Sequence, residues 1–160
     1  MKSYFAPKLT LEKDEVFVFG GNKHGFSGAG SAGYATFNKP GNHWRAEKYD
    51  ERPHGWLGCW NVKGCAEGFQ VGTIGKSYAI PTVTKPGEKK SISLHDIGLS
   101  VRSFYAFAIS RPNLNFFVAQ GGKIGLNGWS PEEMASCYLV MRPPENVYFE
   151  DAFYKILKSK

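Results

Sequence analysis

The stretch Glu15-Val16-Phe17-Val18-Phe19-Gly20-Gly21-Asn22 decides the fold class. From Val16 to Phe19 β-branched and aromatic side chains follow one another with no polar residue between them, the pattern of a strand buried on both faces, and two glycines end it. Such a strand belongs to a sheet covered by helices. Residues 77–81 (Ser-Tyr-Ala-Ile-Pro) read as another strand, closed by proline. Residues 115–120 (Asn-Phe-Phe-Val-Ala-Gln) form a third, broken by Gly121-Gly122, and 146–149 form the last.

Helices alternate with these strands. Small residues followed by Tyr34 and Phe37 suit a helix over 28–37, ending before Pro40. Ser93 with Asp96 has the shape of a capping box, and Leu94, Ile97, Val101, Phe104, Tyr105 and Ala108 recur at helical spacing until Pro112. Ser130-Pro131-Glu132-Glu133 carries an N-cap, a proline at the first helical position and acids at the positive dipole end. Residues 150–158 form a closing amphipathic helix. The expectation is a single α/β domain over 1–160, its central sheet mostly parallel. Residues 39–76, rich in Gly, His and Trp, have no clean period and read as an elaborated loop or insertion with room for a hairpin around 58–69.

Composition narrows the functions. The 160 residues suffice for one core, and nineteen are glycine. Twenty Lys and Arg against fourteen Asp and Glu give a net charge of +6, which favours anionic partners. No apolar run approaches the roughly 20 residues of a membrane span, and the first ten residues lack the apolar core of a signal peptide, so a cytoplasmic protein with no membrane partner is expected. Cys59, Cys65 and Cys137 suggest reduced thiols rather than disulfides. Their spacing to His43 and His54 is not that of a zinc site, and neither metal nor cofactor is expected.

Ten of the glycines fall in two loops, each following a buried strand. In α/β sheets ligands sit at the carboxyl ends of strands. The first loop holds Gly20, Gly21, Gly25, Gly28, Gly30 and Gly33, with a literal G-x-G-x-x-G from Gly28. A dinucleotide fingerprint would place its first glycine directly after the strand and an acidic strand end about 20 residues on; here the loop from Gly20 to Ser27 intervenes, and no strand end is read at that distance. A helix start stripped of side chains still offers N–H groups and a positive dipole end to a phosphate. The other reading of these glycines is a tight turn with close helix packing at Ala29, Ala32 and Gly33. The second loop, Gly121-Gly122-Lys123-Ile124-Gly125-Leu126-Asn127-Gly128-Trp129, can form a nest of N–H donors. Trp129 is either a flat face for a base or sugar or a plug beneath the helix.

The order Phe17-Val18-Phe19-Gly20-Gly21-Asn22, Gly28-Ala29-Gly30, Ser77-Tyr78-Ala79-Ile80-Pro81-Thr82, then Gly125 to Glu133, resembles the macrodomain superfamily and, within it, a small phage and bacterial group. The resemblance covers most of the chain outside 39–76. It implies a three-layer α/β/α sandwich that binds ADP-ribose or a related NAD-derived nucleotide diphosphate. It implies that Gly28, Ala29, Gly30 and Ser31 close on the diphosphate opposite Gly121, Gly122, Lys123, Ile124, Gly125, Leu126, Asn127 and Gly128. Gly20 and Gly21 would border the ligand, Asn22 would meet the distal ribose and Trp129 would border the ribose pocket. The chain departs from the family in lacking a Gly-Asp-Ile-Thr-like adenine segment before Val16, and Gln120-Gly121-Gly122-Lys123 replaces the group's Arg-Ile-Gly-Cys.

Some macrodomains remove ADP-ribose from proteins or nucleic acids, so an ADP-ribosyl hydrolase or ADP-ribose 1''-phosphate phosphatase is the enzymatic expectation. Its partner would be an ADP-ribosylated macromolecule. Asn22 and His24 are the candidate catalytic residues. Asn22 can orient a water but takes no proton at neutral pH, and His24 is a base only if it points inward. Three alternatives stand beside this: a non-catalytic nucleotide-binding module, an interaction module with an occluded cleft, and a nucleic-acid binder using Trp44, Arg45, Arg52 and Trp56 with the basic tail.

Overall fold

The computed structural model describes residues 1–5, 13–24, 67–71, 76–85, 87–119 and 127–160. The helix expected over 28–37, most of the insertion, and the metal-ligand candidates His43, His54, Cys59 and Cys65 lie outside them. The described strands are β1 (Lys2–Tyr4), β2 (Glu15–Asn22), β3 (Gly68–Val71), β4 (Lys76–Val83), β5 (Asn115–Val118) and β6 (Val147–Glu150). The described helices are α1 (Leu94–Ser110), α2 (Pro131–Tyr138) and α3 (Asp151–Lys158).

The strands form one six-stranded sheet in the order β1-β6-β5-β2-β4-β3. Every neighbouring pair is parallel except β3 with β4. The expected mixed α/β architecture with a mostly parallel sheet is therefore present. On one face Val16 and Val18 of β2 join Tyr78, Ile80, Phe116, Val118 and Phe149 in a core closed by all three helices. Phe104 and Tyr105 of α1 are fully buried in it, as are Phe153 of α3 and Ala135 of α2. Phe17, Phe19, Ala79 and Phe117 point to the opposite face and are buried as well, which explains why these strands read as unbroken apolar runs.

Several boundaries differ from the sequence expectation. The first strand does not stop at Phe19: Gly20, Gly21 and Asn22 continue the ladder against Ile80, Pro81 and Val83. Nor does proline close β4, which runs to Val83. The β3 register ends opposite Ala79, so at Pro81 the described pairing of β4 is with β2 alone. That is the edge-like setting in which a strand accommodates proline. Residues 68–71, at the end of the stretch read as an elaborated loop or insertion with room for a hairpin around 58–69, are the antiparallel edge strand β3.

The helix ends follow the sequence closely. Ser93 Oγ accepts from the Asp96 N–H at the start of α1. At α2 the capping box is complete: Glu133 N–H donates to Ser130 Oγ at 3.1 Å, and Ser130 N–H donates to Glu133 Oε1 at 3.0 Å. Those bonds, with the Ser130 backbone first, hold the Glu133 carboxyl below the usual carboxylate range. A group whose folded pKa is depressed stabilises the fold above its unfolded pKa and loses that contribution as pH falls through the folded value. Acid unfolding curves of the wild type and Glu133→Gln should therefore differ. Glutamine keeps the cap without titrating, and its curve should lose less stability in the acid range than the wild type's; identical curves would refute this.

The far end of α1 is closed by a side chain from a distant segment. Asn146 Nδ2 lies 2.9 Å from Ala108 O, 3.1 Å from Arg111 O and 2.9 Å from Leu114 O. Ala108 O and Arg111 O also accept the N–H groups of Arg111 and Leu114, so the amide is a second donor to each. This one amide ties the end of α1 to the starts of β5 and β6.

Candidate functional site

Chain direction at the centre of the sheet defines a crevice. After β2 the described chain resumes at β3 and β4, on one side of β2; after β5 it proceeds through α2 to β6, on the other. β2 and β5 are parallel neighbours, paired from Glu15↔Asn115 to Val18↔Val118. Their carboxyl ends thus flank a topological switch point, the place where open α/β sheets bind ligands. Both glycine loops of the sequence begin there.

At the end of β2, Gly20 is exposed although the four residues before it are buried. It brings bare backbone to the surface on the helix-covered face. A Cβ at Gly20 would stand 3.3 Å from Thr82 Oγ1 and 3.4 Å from Thr82 Cγ2, so glycine here reflects close approach. Asn22 is buried, at 6% exposure. Lys23 N–H donates to Val83 O at 3.1 Å and prolongs the contact between β2 and β4. His24 is exposed.

The segment from β4 to α1 forms one wall. Thr84 N–H donates to Ser91 Oγ at 2.9 Å, and Thr84 Oγ1 donates to Glu88 Oε2 at 2.5 Å. The Thr84 hydroxyl, then Lys85, hold the Glu88 carboxyl below its ordinary range. Lys85, Lys89 and Lys90 are exposed along it, and Lys85 Nζ pairs with Glu88 Oε1 at 3.3 Å. With Lys23 they give the crevice a rim of positive charge.

The second glycine loop is fastened to this wall at its described end. Lys90, in the left-handed region at φ 56°, donates its N–H to Asn127 O at 2.6 Å. Asn127 Oδ1 accepts the Trp129 N–H at 2.9 Å. Gly128 has φ +87°, and a Cβ there would stand 2.8 Å from Lys89 Cβ. Trp129 is half-buried: its indole N–H donates to Ile92 O at 3.1 Å, and Lys90 Nζ lies 5.0 Å from the ring centroid. Indole nitrogen and one ring face are thus already engaged by the protein. The start of α2 is likewise taken up by its own capping box and acids.

No family model matches the chain, and no curated protein matches it.

Of the residues singled out in the sequence, Gly20, Gly21, Asn22 and His24 cluster at the end of β2, and Asn127, Gly128 and Trp129 meet the neighbouring wall. Gly28, Ala29, Gly30, Ser31, Gly121, Gly122, Lys123, Ile124, Gly125 and Leu126 lie outside the described residues. Thr82, Lys85, Lys89 and Lys90 were not singled out. The lysines had a legible signal, a basic loop directly after a buried strand, whereas Thr82 becomes visible only through the register of the sheet. Among the described residues no three of His, Cys, Asp and Glu cluster as metal ligands, and no helix is long and apolar enough to cross a membrane.

Proposed function

We propose that this chain binds ADP-ribose or a related NAD-derived nucleotide diphosphate in the crevice above β2 and β5, in a three-layer macrodomain-like sandwich. One observation carries the reading: the switch point of the sheet coincides with the origin of both glycine loops and with a rim of four lysines. A diphosphate is the ligand that such a place serves best. Bare backbone allows close approach, loop N–H groups satisfy phosphate oxygens, and the lysines supply long-range attraction.

Binding comes before hydrolysis in this reading. Asn22 accepts no proton at neutral pH, and His24 is solvent-exposed. Cleavage of an ADP-ribose ester or glycosidic linkage would lean on the substrate's own phosphate as base.

The test is a thermal-shift panel of ADP-ribose, NAD, AMP and inorganic phosphate. A ligand at 100 times its Kd stabilises the fold by about 2.7 kcal/mol, and a chain of this size moves by roughly 2–4 °C per kcal/mol. ADP-ribose should raise the melting temperature by roughly 5–10 °C, while AMP leaves it unchanged. A flat panel sinks the proposal. Incubation with ADP-ribosylated protein and with ADP-ribose 1''-phosphate then separates a hydrolase from a binding module.

A further inference from the structure

We infer that Thr82 is a positioning residue of this crevice and that its hydroxyl fixes the direction of the Asn22 side chain. The inference rests on the function proposed above. The register between β2 and β4 runs one to one from Val16↔Lys76 to Gly21↔Pro81, then skips Thr82, so that Asn22 stands opposite Val83. One extra residue in a strand bends it and re-aims the side chains around it.

The interruption directly follows Pro81, where β4 has β2 as its only described neighbour. Thr82 answers from its side chain: its hydroxyl donates to Gly21 O at 3.3 Å, and the ladder resumes where Lys23 N–H donates to Val83 O. The Gly21 carbonyl and the Asn22 nitrogen share one planar peptide. A group that holds this carbonyl therefore sets the plane from which Asn22 departs.

Thr82 is built to hold it. The residue is 6% exposed, its Cγ2 lies against Gly20, and β-branching makes its χ1 stiff. Asn22 is equally buried, and close packing limits how far a displaced amide can recover. Gly20 and Gly21 add the complementary condition, since neither has a side chain to fix the turn without Thr82.

Thr82→Val keeps the shape and removes the hydroxyl; Thr82→Ser keeps the hydroxyl and removes the methyl. Two readouts on the full chain decide between them: the side-chain ¹H–¹⁵N pair of Asn22 by NMR, and ADP-ribose affinity by calorimetry. The valine variant should move the Asn22 pair and weaken ADP-ribose by up to about tenfold, the upper end of what one hydrogen bond contributes. The serine variant should restore the pair to its wild-type position and the affinity to within about threefold. An unmoved Asn22 pair in Thr82→Val overturns the inference, as does a serine variant that fails to restore it. Should the valine protein not fold, Thr82→Ala takes its place in the comparison with serine. If the wild type has no affinity for ADP-ribose, the proposed function falls, and the Asn22 pair alone decides the role of Thr82.

Discussion

Gly128→Ala is expected to destabilise the protein by about 2–4 kcal/mol, combining backbone strain with overpacking, and, under the proposed function, to weaken ADP-ribose binding in the molecules that remain folded. Two independent features converge on this residue. Its φ of +87° is one that L side chains rarely adopt, and the added methyl would meet Lys89 Cβ at 2.8 Å and the Lys90 backbone nitrogen at 3.3 Å. The steric and conformational parts are separable. Asn tolerates positive φ, so Gly128→Asn should recover stability only to the extent that strain dominates. Lys89→Gly in the alanine background removes the contacted Cβ and should recover the steric part. Denaturant unfolding of the single and double variants gives both numbers, and a Gly128→Ala protein as stable as wild type would show that the wall does not hold this loop as described.

Phe104→Ala should cost about 3–5 kcal/mol, a fall of roughly 6–20 °C in melting temperature for a chain of this length. Phe104 is fully buried on α1, its ring 4.9 Å from that of Tyr78 on β4 and 5.5 Å edge-on from that of Phe116 on β5. It joins the helix to strands on either side of β2. Truncation removes aromatic contacts in two directions and leaves a cavity that neither strand can close without breaking its pairing. Phe104→Leu should recover much of the loss. A loss below about 1 kcal/mol in the alanine variant would place the centre of the core elsewhere.

The central strands were readable because they are buried on both faces: Val16 to Phe19 and Phe116 to Val118 leave no polar residue to confuse the pattern. The cap of α2 was readable to the atom, since Ser130, Pro131 and Glu133 act within a single turn. What failed depends on pairing across the sheet. Lys2–Tyr4 has neither apolar run nor period and becomes a strand only beside Val147–Glu150. Pro81 is a strand terminator by local rules, yet the ladder with Gly21 carries β4 past it. The candidate site divides in the same way. Its glycines follow from composition and order, whereas the continuation of β2 to Asn22, the place of Thr82 and the Lys90 to Asn127 bond arise from partners remote in sequence.

The order of the strands also sets when the crevice can exist. Val16 pairs with Phe116 and Ser3 with Phe149, so the pairings that build its floor and close its sheet join segments far apart along the chain. Pairings of that kind put a domain among the slower folders. On a ribosome, β2 emerges before β4 and long before β5, and its second neighbour arrives only with the latter. The crevice is thus a late product of synthesis, and a ligand specific for it would recognise only chains whose sheet is complete.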